Sequence, residues 1–234
     1  MEQDDIKESY PEGKLGIHDE YMFHYFASQI REIPQPFFAN LFTISSHSPY
    51  DFPGDRPFKD FKLERDFVNS VHYTDKSLGD FFKEAKNSEY WDNTLFLVLA
   101  DHSHNSPLNH PLFSFEYHKI PLLILGGALK ENLKNTQNNK LCSNVDITTT
   151  LLKQLKLPAE KYFWSKDIFN PYGPEFAYFE LNTGFGWKRN FGEQVLSIKD
   201  NYYYVRKVND SLKTQLDMEG KAYLQYWFDE FMSY

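Results

Sequence analysis

Cysteine is nearly absent from this chain. One thiol, Cys142, in 234 residues excludes an intrachain disulfide framework and any zinc site built from four cysteines. Long apolar runs are missing too. The longest, Leu95–Ala100 and Ile120–Leu125, are strand-sized and far short of the roughly 18–20 residues of a spanning helix. Positive charge is in deficit, with 25 Lys and Arg against 33 Asp and Glu, a net charge of −8. That balance argues against broad electrostatic binding to nucleic acid and, more weakly, against an anionic membrane surface. The opening residues MEQDDIKESYPEGK are polar and acidic and do not read as a signal peptide. There is no internal repeat and no low-complexity run.

What is abundant is aromatic. Phe (22) and Tyr (16) dominate an aromatic fraction of 18%, which argues for a core-forming chain rather than a largely disordered one. The length allows one large domain, or one domain with a small appendage. A chain of this size buries about 70% of the surface its unfolded form exposes, so it needs neither disulfides nor metals merely to fold.

Residues 1–15 read as an irregular lead-in, with Pro11 and Gly13 as breakers. Phe37–Ser45 is β-rich and bounded by Pro36 and by a polar cluster, which predicts a buried strand followed by a loop. From Leu63 to Lys86, the positions Phe67, Val71, Leu78, Phe81, Phe82 and Ala85 have helical spacing. Thr94–Ala100 is apolar almost throughout, as a central strand covered on both faces should be. Ile120–Leu125 reads the same way and is closed by Gly126–Gly127. Ser143–Leu157 returns to helical spacing, with Ser143 or Asn144 as N-cap and Pro158 as stop. Strands alternating with helices indicate an α/β layered domain. Beyond about residue 170 the pattern changes to short β-rich runs: Phe176–Leu181, Phe185–Trp187, Gln194–Ile198 and Asn201–Lys207, with glycine and Asp200–Asn201 turns. A last helix is expected over Met218–Tyr234, with Leu224, Trp227, Phe228 and Phe231 on its packed side.

The chemistry concentrates at strand exits. Asp101 and His102 directly follow the apolar run ending at Ala100, and ligands in open α/β sheets bind beyond the carboxyl ends of strands. Successive side chains on a strand point to opposite faces, so an Asp–His pair converges on one ion only where the strand has ended. Oxygen plus imidazole nitrogen suits Zn2+ or Mn2+. The alternative is a polar turn with Asp101 capping the next segment. His104 and His110 follow in the same loop, where Pro107 and Pro111 impose an irregular path; they read as exposed loop histidines, and His118 as structural. Thr43–Tyr50 also leaves an expected strand, and its hydroxyls with His47 can hold an oxyanion; a Ser-rich turn explains it equally. Asp75 and Asp146 read as structural, the latter favoured near a helix start.

Taken in order, LFTISSHSPYDFP, FVNSVHYTDKSLGDFFKEAKNSEYWDNTLFLVLADHSHN, HKIPLLILGG and SNVDITTTLLKQLKLP resemble the sulfatase-like branch of the alkaline phosphatase superfamily, and in particular lipoteichoic acid synthase-type phosphoglycerol transferases. GKLGIHDEYMF is similar to the segment preceding the first of these strands. The resemblance covers roughly residues 13–160. It implies a partial α/β/α sandwich over residues 1–170, followed at 171–234 by a small antiparallel sheet and terminal helix. It also implies a phosphate or sulfate ester substrate, such as a lipid headgroup or glycan, and one divalent ion, Mn2+ or Zn2+, with Mg2+ or Ca2+ as alternatives. Asp101 and His102 match the metal-binding pair, and His47 matches the histidine that contacts the phosphoryl group or headgroup. These three should share one edge of the sheet, within roughly 10 Å, the span of an ion with its phosphoryl ligand. Where the family often has Gly after the pair, this chain has Ser103.

In the resembling enzymes the nucleophile and a further acidic ligand lie on strands N-terminal to the matched region. The expectation is therefore that this chain holds no catalytic nucleophile and is inactive alone. Its partner would be the N-terminal half of the domain, and an exposed seam would invite self-association. The implied setting is the extracytoplasmic face of a membrane-anchored envelope protein. Competing readings are a non-catalytic binding or assembly module on the same scaffold, and a half-domain that pairs with a separate chain.

Overall fold

A computed structural model of the protein describes residues 6, 9–60, 64–105 and 108–233. The chain divides into two compact units. The first comprises Met1–Val98, Ser106–Asn109 and Leu122–Lys134; the second comprises Leu99–Asn105, His110–Pro121 and Asn135–Tyr234. No helix among the described residues is long and apolar enough to cross a membrane.

The first unit opens with a two-residue antiparallel pair, β1 (Glu12–Gly13) and β2 (Gly16–Ile17). This corrects the expected irregular lead-in, part of which lies outside the described residues. Gly13 permits the pair because a Cβ there would meet the Asp51 carboxylate at 2.5 Å, and that carboxylate accepts the Lys14 N–H. Helix α1 (Asp19–Glu32) follows, outside the elements expected from the sequence. Its signal was present: Phe23, Ala27 and Ile30 form its buried stripe, Asp19 and Glu20 open its first turn, and Pro34 beyond it disfavours a helical Ile33.

Helix α2 (Arg65–Ala85) lies inside the expected range, whose first residue, Leu63, is outside the described residues. Its buried stripe is partly polar: Asn69, Ser70, Tyr73, Ser77, Phe81 and Ala85. Val71, expected on that stripe, is exposed. Asn69 is tolerated inside because its amide donates to the Phe58 and Arg65 carbonyls and its oxygen accepts the Phe58 N–H. Phe23, Ala27 and Ile30 of α1 pack with Phe81 and Ala85 of α2 and with Tyr90, and Phe37, Leu41 and Phe96 close this core.

The expected strand at Phe37–Ser45 is corrected. Its backbone forms no ladder with another strand among the described residues. Alternation survives: Phe37 and Leu41 turn to the core, while Phe38 and Phe42 are 87% and 72% exposed. A strand needs a neighbour to hydrogen-bond, and pattern alone cannot supply one. Strands β3 (Phe96–Leu99) and β4 (Leu122–Leu125) pair as a two-stranded sheet. They are shorter than expected, and the double coverage expected of both is absent among the described residues, since Leu99 of β3 and Leu123 of β4 are exposed. Gly126, at φ 120°, follows β4; a Cβ there would meet the Thr94 carbonyl oxygen at 2.2 Å. Only glycine allows the chain leaving β4 to lie against the turn that enters β3.

The second unit contains α3 (Asp146–Gln154) and the antiparallel meander β5 (Phe176–Leu181), β6 (Gly184–Arg189), β7 (Gly192–Ser197) and β8 (Tyr202–Val208). These strands closely follow the expected runs, with a register shift at Val195/Leu196. Neither Ser143 nor Asn144 is the N-cap of α3; Val145 holds that position, and the Asp146 carboxylate instead accepts the Ser143 N–H. Helix α4 (Lys213–Met232) starts earlier than expected. It packs through Leu216 and Gly220, with Tyr223 and Leu224 beside them, onto Phe185, Trp187 and Leu196. Phe228 and Phe231 are exposed, correcting their expected place on the packed side. The buried line runs through a glycine, whose missing side chain admits the Phe185 ring.

Candidate functional site

His47 belongs to the first unit. It sits in a chain of turns: Ile44 O accepts the His47 N–H, and His47 O accepts the Tyr50 N–H. Tyr50 takes φ 63°, a left-handed conformation uncommon for a bulky residue. The His47 side chain is exposed. Its Nδ1 lies 2.8 Å from the Ser48 carbonyl oxygen. A carbonyl only accepts, so Nδ1 carries the proton and Nε2 presents a lone pair.

The upstream end of this loop is fixed by a residue to which the sequence reading assigned no role. Asp19, fully buried at the start of α1, accepts the Ile44 and Ser45 N–H groups through Oδ1 at 2.9 and 3.0 Å. Its Oδ2 accepts the Thr74 hydroxyl at 2.5 Å, and Ser45 Oγ accepts the Asp19 N–H at 3.0 Å. Next to Thr74, Tyr73 has its phenol pushed up to about 12, chiefly by burial. Tyr73 stacks on the buried Phe52 ring, just past the loop's downstream end.

Asp101 and His102 belong to the second unit and follow β3. Asp101 Oδ1 accepts the His102 N–H at 2.8 Å, and the Asn144 amide donates to the Asp101 carbonyl at 3.5 Å. His102 Nδ1 lies 2.8 Å from the Ser103 carbonyl oxygen, so its Nε2 is also the free nitrogen. That nitrogen is 3.6 Å from Asp101 Oδ2, with the two side chains 74% and 68% exposed. Two metal bonds laid end to end would span about 4.2 Å, so a 3.6 Å separation lets both donors reach one ion. An imidazole whose second nitrogen donates to a carbonyl is the usual arrangement at metal sites. The pair therefore fits a divalent ion as two of its ligands. Among the described residues, no group of three or more His, Cys, Asp or Glu forms a candidate metal cluster.

The remaining candidates separate from this chemistry. His104 is exposed and His110 half-buried. His118 stacks on Phe179 at 3.6 Å, with Nε2 2.9 Å from the Leu112 carbonyl oxygen. Burial lowers its pKa from 6.5, although the bond to Leu112 acts in the opposite sense. Asp75 is exposed. Asp146 is buried and pairs with Lys166, in keeping with a structural role.

Comparison with known proteins adds an independent line. The sequence model of the family described as Sulfatase matches residues 1–157. Lipoteichoic acid synthase 1 of Bacillus subtilis (strain 168) is 24% identical over 178 residues, 67% of this chain and 27% of that protein. Lipoteichoic acid synthase 2 of the same organism is 27% identical over 171 residues, 64% of this chain and 25% of that protein. A solved structure of a protein in the alkaline phosphatase superfamily from Vibrio parahaemolyticus superposes with a TM-score of 0.74 at 26% identity, covering 96% of this chain and 59% of that one. The chain thus spans about a quarter of the length of these curated relatives.

Proposed function

This chain belongs to the Sulfatase family, and from that premise we propose that it supplies the metal-binding pair and the phosphoryl-contacting histidine of an enzyme that transfers or hydrolyses phosphate or sulfate esters. The single observation carrying this reading is the pair itself: Asp101 Oδ2 and His102 Nε2 stand 3.6 Å apart, immediately beyond β3. A divalent ion held there would supply Lewis-acid polarisation of an ester oxygen. His102 offers Nε2 because its Nδ1 proton is engaged by Ser103. His47, with Nδ1 engaged by Ser48, offers a second Nε2. When protonated, that nitrogen donates to a non-bridging oxygen or to the leaving group. The relatives are named as lipoteichoic acid synthases, which favours transfer in the synthesis of such a polymer over hydrolysis.

In this reading the nucleophile and the remaining ligands lie outside these 234 residues. The segment 37–44, whose burial alternates as in a strand, with Phe38 and Phe42 turned to solvent and Phe37 and Leu41 to the core, supports it, because such a pattern suits a neighbouring strand. A complete catalytic zinc site typically uses three protein ligands and an open position, so two exposed donors should bind an ion weakly.

The test has two arms. Calorimetric titration of this chain with Zn2+ and Mn2+, alongside turnover of a chromogenic phosphodiester, should show neither tight binding nor turnover. Submicromolar binding lost in Asp101→Ala, together with metal-dependent turnover, would show a complete site within the chain. In the gene product that carries these residues, Asp101→Ala or His102→Ala should cut turnover at least about 100-fold, and His47→Ala should cost a factor in the about 10²–10⁴ range of general acid catalysis. Turnover within twofold of wild type in all three variants would contradict the reading.

A further inference from the structure

We propose that Asp19 is the positioning residue of His47: a buried carboxylate at the start of α1 that holds the loop and thereby aims the imidazole. The inference rests on the role given to His47 above. The geometry is a clamp with two sides. Oδ1 accepts two consecutive N–H groups, Ile44 at 2.9 Å and Ser45 at 3.0 Å. Ser45 Oγ returns the contact by accepting the Asp19 N–H at 3.0 Å. Oδ2 is occupied by the Thr74 hydroxyl from α2. One carboxylate thus ties the segment leaving 37–44 to two helices.

Three features separate this arrangement from an ordinary helix cap. The partners are distant in sequence, by 25, 26 and 55 residues, whereas a cap satisfies its own first turn. The carboxylate is 0% exposed, and a buried charge costs stability unless hydrogen bonds compensate it. The bonds also end where the imidazole begins: Ile44, whose N–H is held by Asp19, accepts the His47 N–H through its carbonyl. The downstream end is tied separately, by Asp51 accepting the Lys14 N–H at 2.6 Å. With both ends fixed, the Nδ1 bond to Ser48 leaves Nε2 one direction. Releasing the Asp19 end should let the ring exchange tautomers and lose that direction.

The experiment uses the isotope-labelled chain in three forms: wild type, Asp19→Asn and Thr74→Val. NMR follows amide hydrogen exchange at Ile44 and Ser45, the tautomer ratio of the His47 imidazole, and the His47 response to inorganic phosphate. In Asp19→Asn we expect exchange at Ile44 and Ser45 at least tenfold faster and a tautomer ratio shifted at least twofold. Amides of the buried strand residues Val195 and Leu196 should keep wild-type exchange. Thr74→Val, which leaves the carboxylate in place but removes the Oδ2 donor, should shift both readouts in the same direction by less. A folded Asp19→Asn with unchanged exchange and tautomer ratio would overturn the proposal. If Asp19→Asn does not fold, unchanged values in Thr74→Val overturn it equally. The phosphate arm isolates the premise: no His47 response in the wild type removes the phosphoryl role, while the exchange and tautomer comparison still decides the positioning.

Discussion

Replacing Asp146 by alanine should destabilise the second unit more than any other single truncation of a charged residue described here. Asp146 is 1% exposed and Lys166, its partner, 12%. The carboxylate accepts the Ser143 N–H at 2.8 Å, the Lys166 N–H at 3.0 Å and the Lys166 ammonium. Truncation leaves that ammonium without its carboxylate, over the Phe176 ring with its centroid 3.9 Å away. Breaking one side of a buried ion pair costs about 3–5 kcal/mol. Two backbone N–H groups lose their acceptor as well, at about 1–3 kcal/mol each where water does not replace it. These costs overlap, so a net loss of about 4 kcal/mol is expected, a large part of the about 5–15 kcal/mol typical of a whole protein. At about 2–4 °C per kcal/mol for a chain of this size, the midpoint should fall by roughly 8–16 °C. Urea unfolding followed by tryptophan fluorescence is a suitable assay, since Trp164, Trp187 and Trp227 all lie in this unit. Lys166→Met keeps the stem and removes the charge. The double variant Asp146→Ala/Lys166→Met should therefore be at least about 1 kcal/mol more stable than Asp146→Ala alone, the uncompensated charge being gone. A loss below about 1 kcal/mol in Asp146→Ala, or a double variant no better than the single, would refute the buried-pair reasoning.

Gly220→Ala should destabilise by up to about 2 kcal/mol, because a Cβ there would sit 2.6 Å from the Phe185 ring and overpacking of about 1–3 kcal/mol offsets the about 1 kcal/mol of helix propensity regained; a raised melting temperature would contradict it. The His118 imidazole, lowered from 6.5 by burial, is bound in its neutral form, so its contribution is complete above pH 6.5 and is lost as pH falls through the folded-state value. Stability measured from pH 7.5 to 5 should decline, and His118→Gln should flatten that decline; an unchanged slope would rule the group out as its source. At lower pH, Glu193 adds a second loss. Burial raises it, but bonds from Lys188 and Lys207 outweigh burial and hold it below 4.5, so its stabilisation disappears as pH falls below that value. If segment 37–44 is an open edge, sedimentation should show self-association that weakens in Phe38→Lys/Phe42→Lys; an equally associated double variant would place the contact elsewhere.

What the sequence disclosed tracks the range of the interactions involved. The meander β5–β8 was legible to within two residues at each strand end because alternation and turns are local. Gly184 opens β6, and Asn201, at φ 48°, makes the left-handed corner before β8. Segment 37–44 carries the alternation of a strand without a ladder, since pairing is a property of two segments. The packed face of α4 was misread because Gly220 contributes space rather than hydrophobicity. Asp101 and His102 stand out as candidates in the sequence because they are adjacent and follow an apolar run. Asp19 was not, because its partners stand 25 or more residues away. A carboxylate opening a helix has an ordinary local explanation, and nothing local points to Ile44.

The central proposal is that Asp101 and His102 together would hold a divalent ion. Paramagnetic broadening by Mn2+ in the NMR spectrum of this chain tests it most directly, because broadening reports proximity to the ion even when binding is weak. The account predicts that resonances of Asp101 and His102 vanish first and that Asp101→Ala abolishes the effect. Broadening centred on other carboxylates and unchanged by Asp101→Ala would contradict it.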